Sequence, residues 1–451
     1  MDAVQPRSRV VRQSCAPKTY PCPQCGKRGR RKQVHTRRIR DIAYREIVII
    51  ELEVGEYRAR CDCCKTFRAQ VEGIEPRAEY TNRVREAVID RLLDDSMSME
   101  RLRQALQRDF HLDLSDGFLY DCLDWKVRQI DMPTYRQWTL ANFSGTLCID
   151  ELHLGHRTLL LATDPLGDFP VAFALVRSND QDHMRRFLNN LKNWGFSPKV
   201  VVTDGSNLYP ALLAELWPEA RHQLCVFHVI KDINDCVMDA LRRLRRRLAG
   251  RSKRKRGRGR PTKAQKRARA RYGKTKKEQA YFIWKHRHLI VTRPSELNGH
   301  ERRWLSQMFA ALPALRTLRE FVLKVYRLFD PKQTPHQARC RRAALVACPE
   351  FQADPDLKRA LAMLTAEKFD KMIAYLHSPA RKRVRTNNHV ERTNRRLRYF
   401  EKVRYKWRRR RTMVRFIVLA IDRWRQRQAV AEKAKPRKPK PQLQESTKAA
   451  A

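Results

Sequence analysis

TLCIDELHLG (146–155), RTLLLATD (157–164), FPVAFALVRS (169–178), DQDHMRRFLNNLKNWGF (180–196), KVVVTDG (199–205), SNLYPALLAELWP (206–218) and RHQLCVFHV (221–229) follow one another with little between them. The first three are rich in apolar and β-branched residues and are parted by turn signals at Gly155-His156 and across 164–168, so each reads as a strand. The fourth and sixth carry apolar residues at helical spacing, the fifth is a short buried strand, and the seventh is strand-like again. The string is βββαβαβ. An antiparallel meander continued by right-handed crossovers predicts an α/β domain: one mixed sheet with helices on both faces.

Two carboxylates stand out in that string. Asp150, in LCIDELHL, occupies a position where burying a lone carboxylate costs several kcal/mol unless a cation compensates, which suggests a metal. Asp204 ends VVVTD just before Gly205, at the carboxyl edge where open α/β sheets place their sites, although the same position also suits a turn or helix cap. Asp164, a turn residue in TDPLGD, and Glu151, which alternation sends to the face opposite Asp150, rank behind them. A third acid, Glu391, lies in TNNHVERTNRRLR (386–398), where Thr386 is a candidate N-cap. At helical spacing it shares a stripe with Asn387, Asn388, Asn394, Arg395 and Arg398; the alternative is a solvated basic helix in which Glu391 pairs with Arg395 at i+4. Carboxylates from a first strand, a fourth strand and a late helix are what two-metal phosphoryl transfer requires, because hard oxygen ligands hold two Mg²⁺ (or Mn²⁺). No phosphate-cradling glycine loop is present, which directs the chemistry to a nucleic-acid backbone.

Composition agrees. Among 451 residues, 97 Lys+Arg against 48 Asp+Glu give a net charge of +49, the signature of a polyanion partner. Hydrophobic residues at 42% supply real cores and exclude a wholly disordered DNA-coating peptide. No apolar run approaches the ~18 residues of a membrane span, and the amino end lacks a signal-peptide core, so an intracellular protein with no membrane partner is expected. Of the 12 cysteines, those in CPQC and CDCC read as metal ligands. After a basic arm (1–19) holding Cys15, a zinc ribbon is expected over 20–75, with Cys22, Cys25, Cys61 and Cys64 around a structural Zn²⁺; Cys63 breaks the CxxC spacing. Over 80–135, three amphipathic segments with N-cap signals at Ser98 and Ser115 resemble a helix-turn-helix, against which stand Asp116, Asp121 and Asp124 on the third helix.

The α/β domain opens over 144–230 and is followed by a helix-rich stretch, 231–380. Inside it, 242–276 carries 19 Lys/Arg and no acid, so it should be extended or partly helical until it meets a polyanion. Arg258-Gly259-Arg260-Pro261 matches an AT-hook core that would insert Arg258 and Arg260 into a minor groove; a nonspecific phosphate tether is the other reading. Trp284 and Trp304 are expected in a helical core. The last structured region is 381–426, whose Arg395 and Arg398 would also contact DNA, and 427–451 is a Pro/Lys-rich tail.

The βββαβαβ string with CIDE, VVTDG and TNNHVERTNRRLR resembles the RNase H-like core of DDE transposases, and the knuckles CPQCG and YRARCDCCKTF are similar to those of the ISL3 family of bacterial insertion-sequence transposases. The resemblance covers nearly the whole chain. It implies an RNase H-like mixed sheet interrupted by a helical insertion, with Asp150, Asp204 and Glu391 as the triad holding two Mg²⁺. It implies double-stranded DNA as partner, both transposon ends and target, at least a homodimer, and a nucleoid-associated place in the bacterial cytoplasm. Cys225 and His228, in QLCVFHVIKD, match a CxxH signature that follows the second aspartate in related transposases; with only two ligand types there, packing near the active centre is expected ahead of a second zinc site. The rivals are a noncatalytic zinc-ribbon regulator and an RNase H-like nuclease that cuts without joining.

Overall fold

In the computed structural model, which describes residues 7–250, 261–403 and 409–434, the chain folds as two units. Arg258 and Arg260 lie outside the described residues. The first unit comprises residues up to Gln137, His153–Arg157 and the part from Arg395; the second comprises Trp138–Leu152 and Thr158–Asn394.

The first unit begins with strands β1 (Arg7–Cys15), β2 (Thr19–Pro21), β3 (Arg28–Ala43), β4 (Glu46–Arg58) and β5 (Thr66–Arg68). Their order is β1-β4-β3-β2, with β5 also on β4. Alternation along β4 sends Val48, Leu52 and Val54 inward, where Leu52 and Val54 join Ile39, Tyr57 and Ala69 in one core. Residues 7–15, expected in a free arm, instead run parallel to β4 from Arg7↔Glu46 to Cys15↔Val54. Their basic composition hid a strand: Val10 and Val11 supply β-propensity, while Arg12 finds Glu51 across the ladder at 3.4 Å.

Helices α1 (Asn82–Leu93), α2 (Met99–Phe110), α3 (Asp116–Arg128) and α4 (Met132–Ala141) follow. Ser98 accepts from the Arg101 N–H at 3.3 Å and Ser115 from the Phe118 N–H at 3.2 Å, each satisfying a donor that a helix start leaves free. The same unit holds the carboxy-terminal helix, Arg410–Ala434, whose Arg411 bonds Asp124 of α3 at 2.9 Å and whose Arg415 pairs with the same carboxylate.

In the second unit, β6 (Thr146–Leu154), β7 (Arg157–Asp164), β8 (Phe169–Val176), β9 (Val200–Thr203) and β10 (Arg221–Leu224) form a sheet of order β10-β9-β6-β7-β8. β7 and β8 are antiparallel, while β6, β9 and β10 run parallel. Leu147 and Ile149 of β6 face a core shared with Met184 and Leu188 of α5 (Gln181–Asn193) and Leu212 and Leu213 of α6 (Tyr209–Leu216). Cys148 points to the other face, with Leu161, Val202 and Val390. The sequence segment 221–229 is not one strand: β10 stops at Leu224 and α7 (Val226–Gly250) begins at once, because Val226, Val229, Ile233 and Val237 recur at helical spacing and are buried.

After α8 (Lys263–Lys285) come α9 (Gly299–Ala311), α10 (Leu315–Leu328), α11 (Pro335–Val346), α12 (Pro349–Gln352), α13 (Pro355–Ala362), α14 (Ala366–Met372) and α15 (Arg381–Val384). With α7 they enclose a core that includes Ile233, Leu241, Phe321, Val325, Phe351 and Phe369, and Trp284 packs against it. The chain then enters α16 (Asn388–Val403) and the terminal helix, α17. Among the described residues no helix is long and apolar enough to cross a membrane.

Candidate active site

The parallel register of β6 with β9 runs from Thr146↔Val200 to Cys148↔Val202. Asp150 and Glu151 follow the last pair, and Asp204 follows the end of β9 at Thr203, so all three acids come to the carboxyl edge of the parallel strands. Burial first, then the charge of Glu151 and that of Asp204, push the Asp150 carboxyl up to about 7; against them, Asn394 Nδ2 donates to Asp150 Oδ2 at 2.8 Å. Glu151 is pushed up in turn, by its own burial first and by the charge of Asp204, against the pull of Tyr209 and Asn179 toward the carboxylate. Asp204 Oδ1 accepts the Ser206 N–H at 2.9 Å, an Asx turn that orients the carboxylate at the strand end.

Several contacts hold the start of α16. Val390 is fully buried against Cys148, Leu161 and Val202 on the sheet. His389 Nε2 lies 2.9 Å from Asp168 Oδ1, and Arg392 bonds the same carboxylate, which sits in the β7–β8 turn. Just before the helix, the Arg385 carbonyl accepts the Val226 N–H at 3.1 Å. On this anchored helix Glu391 and Asn394 are three residues apart and therefore share a face, so the residue that bonds Asp150 lies one turn from Glu391. Glu391 Oε1 is buried without a hydrogen-bond partner, 3.7 Å from His228 Nε2. Asn387 is fully buried, and its Oδ1 accepts from the Cys225 thiol at 3.0 Å. The polar stripe of α16 is thus not uniform: Asn387 and Asn394 turn inward, while Asn388, Arg395 and Arg398 are exposed.

Among the described residues no lysine or arginine forms an ion pair with Asp150, Asp204 or Glu391. Buried or half-buried carboxylates without a cationic side chain are the donor set that suits a hard divalent ion. Asp164, the rejected rival, is fully buried and saturated: it accepts from Ser144 N and Oγ, both at 2.7 Å, and from the N–H groups of Leu166 and Gly167 at 2.8 and 2.9 Å. Its role is to tie the β7–β8 turn to the start of β6. Glu151, by contrast, joins the acidic cluster that alternation denied it, since the ladder with β9 has ended before it.

A second set of donors lies in the first unit. The sulfurs of Cys22, Cys25, Cys61 and Cys63 are all within 4.8 Å of one another, and Cys64 Sγ is 4.0 Å from Cys22 Sγ. The fourth sulfur is therefore offered twice, and the set that closes includes Cys63, which the CxxC spacing had set aside; a turn at 61–64 brings both thiols back toward the first knuckle. Backbone N–H groups of Gln24 and Cys25 pull the Cys22 thiol down to about 6, toward the thiolate a metal binds. Gly26 completes that knuckle at φ +75, a left-handed conformation that side-chain-bearing residues rarely adopt. These soft ligands fit zinc.

The sequence shows Asn394 only as part of a stripe, ranks Glu151 behind Asp150 on alternation, and gives no signal for Tyr209; their places come from strand pairing and tertiary packing. The model of the ISL3-type DDE transposase family, described as "Transposase", matches residues 147–417, a span containing Asp150, Asp204, Cys225, His228 and Glu391. No curated protein matches the chain.

Proposed function

The chain belongs to the ISL3 transposase family, and from that premise we propose that it binds the inverted repeats at transposon ends, cleaves DNA there and joins the freed 3′-hydroxyl to target DNA. The observation that carries this reading is the state of Asp150: a carboxylate pushed up to about 7, beside Asp204, steadied by an amide on the helix of Glu391. The sheet order, third-second-first-fourth-fifth in chain order with the second strand antiparallel, supports an RNase H-like core. In this reading Asp150, Asp204 and Glu391 hold two Mg²⁺ (or Mn²⁺). Bound there, the ions would activate the attacking oxygen and stabilise the leaving one in an in-line displacement.

The chain's own residues do the rest. Asn394 orients Asp150, Ser206 orients Asp204, and the clamp of His389 and Arg392 on Asp168 sets the start of Glu391's helix. Exposed Arg395 and Arg398 contact phosphates and position the duplex without choosing sequence. End recognition belongs to the amino-terminal modules: a zinc ribbon held by Cys22, Cys25 and Cys61 with Cys63 or Cys64, and the helices α1–α3 as a helix-turn-helix. Pairing of two ends calls for at least a homodimer, acting on the nucleoid.

The test is incubation of the full chain with Mg²⁺ and DNA carrying candidate transposon ends, comparing wild type with Asp150→Asn and Glu391→Gln. Cleaved and joined products should vanish in both variants while end binding persists. Full cleavage by either variant would overturn the triad. Cleavage without joining would make the protein a nuclease, and binding without chemistry by all three a regulator.

A further inference from the structure

Cys225 immediately precedes the 25-residue helix α7, with its sulfur in reach of the backbone N–H groups of Phe227 and His228 in the helix's first turn. A third N–H, from Asn387, reaches the sulfur at 3.4 Å. Burial pushes the Cys225 thiol up; against it these backbone donors favour the thiolate, the ligand form of cysteine that a bound metal would complete. One helical turn on, His228 turns Nε2 toward Glu391 Oε1 at 3.7 Å, too long for a hydrogen bond. Two metal–ligand bonds of ~2.0 Å at a tetrahedral angle would span roughly 3.3 Å, so a small closure around one ion would satisfy both atoms. The ligand atoms of Cys225, His228 and Glu391 all lie within 4.8 Å of one another.

Unpartnered atoms point the same way. Glu391 Oε1 is buried without a hydrogen-bond partner, and so is the amide nitrogen of Asn387, a residue with no exposed surface. As placed, Asn387 Oδ1 accepts from a Cys225 thiol and Nδ2 is wasted. With a thiolate in place of the thiol, turning the amide about its last bond brings Nδ2 to the sulfur as a donor. The orphaned donor would thus find its acceptor once a metal ion holds the Cys225 sulfur as a thiolate.

We propose that Cys225, His228 and Glu391 form a second transition-metal site, separate from the amino-terminal cysteine cluster, that binds Zn²⁺ or Co²⁺. The ligands are one thiolate, one imidazole and one carboxylate, with a fourth position left for water. Binding releases the Cys225 proton to solvent and forms the sulfur–metal bond in its place. The CxxH spacing alone could not show this site, because its third ligand comes from α16, far along the chain. The consequence, though not the binding itself, rests on the reading of Glu391 as a Mg²⁺ ligand: an ion held here takes that carboxylate away from the triad, so zinc would switch cleavage off.

Binding is tested on the full chain without DNA or Mg²⁺, so the result is independent of whether the protein transposes DNA. Cys22→Ser/Cys25→Ser disables the amino-terminal cluster, and Co²⁺ is then titrated while the thiolate-to-cobalt charge-transfer absorption is followed. The expected result is an absorption that saturates at one equivalent, disappears when Cys225→Ser is added, and needs at least about tenfold more Co²⁺ when His228→Gln is added instead. No such absorption in the doubly substituted chain, or one that survives Cys225→Ser, overturns the site. Zinc content of the otherwise unaltered chain after dialysis against excess Zn²⁺ guards against misfolding: it should fall from two ions to one in both Cys225→Ser and His228→Gln with circular dichroism unchanged. A wild-type chain holding one ion, all of it lost in Cys22→Ser, refutes the proposal.

Discussion

The proton balance of Asp150 turns on Asn394. Burial and the neighbouring charges of Glu151 and Asp204 favour the neutral acid, and the Asn394 amide favours the carboxylate. Asn394→Ala should therefore raise the Mg²⁺ concentration that half-saturates cleavage by about 10-fold or more, the usual size of a lost supporting contact to a metal ligand. A Mg²⁺ titration of cleavage checks it, and an unchanged midpoint would detach Asn394 from the site. His222 offers a test free of catalysis. Burial pushes its imidazole down to about 4, with Nε2 2.8 Å from the Thr203 hydroxyl. Because the folded value lies below the ordinary one of about 6.5, the native chain binds fewer protons than the unfolded chain across that interval. The stability this group contributes is fully present above pH 6.5 and is lost as pH falls toward 4, by roughly 3 kcal/mol in all. Urea unfolding of His222→Gln should show a shallower loss over that window; an identical pH slope would place the effect elsewhere. Asp150 was legible in the sequence because an acid in an apolar run is an anomaly, whereas Asn394 in a polar stripe is none, and its contact exists only once α16 has met β6.

At the scale of elements, the acids of α3 show why a helix read alone misleads. Asp116, Asp121 and Asp124 argued against a helix that faces phosphate, yet Asp124 is taken up by Arg411 and Arg415 of α17, a helix some three hundred residues later. The pattern repeats along α17, where Arg423 pairs with Asp90 and Arg427 reaches Asp94 at 2.7 Å, so acids of both α1 and α3 are matched by basic residues from the carboxy-terminal helix. Arg415 keeps only 9% of its side chain exposed, and removing its partner leaves a charge with little water around it. Asp124→Ala should accordingly cost about 2–4 kcal/mol and loosen α17, seen as faster hydrogen exchange across 410–427, while Asp121→Ala, at an exposed position, should change neither. Equal exchange in both variants would show the pairing to be ornamental. Apolar runs and helical periodicity placed most of the βββαβαβ elements, because its first three strands are buried on both faces and its helices along one, while two segments escaped this reading. β1 reads as a basic arm because its ladder partner is remote in sequence, and CVFHV reads as strand because a short apolar run does not distinguish a strand from the first turn of a buried helix.

For the whole molecule the governing quantity is its charge of +49, the excess of 97 Lys+Arg over 48 Asp+Glu, and some of those acids are already engaged in internal pairs, as in Arg243 with Asp354 and Asp356 or Arg38 and Arg12 with Glu51. What remains is a surplus of cations that repel one another and that a polyanion would relieve. Counterion release turns this into a measurable slope: log of the binding constant against log of salt falls by about 0.9 for each phosphate neutralised on duplex DNA. Residues 251–260 carry seven Lys/Arg. If all of them meet phosphate, deleting that segment should flatten the slope by up to ~6, and by the same amount on transposon-end and unrelated DNA, because phosphate contacts carry no sequence. A flattening larger on A·T-rich duplexes would instead mark Arg258 and Arg260 as minor-groove contacts, since a narrow A·T groove holds arginine more strongly than the backbone alone does. An unchanged slope on every duplex would move the phosphate contacts to exposed arginines elsewhere, such as Arg395 and Arg398, and would leave the tract without a role in binding.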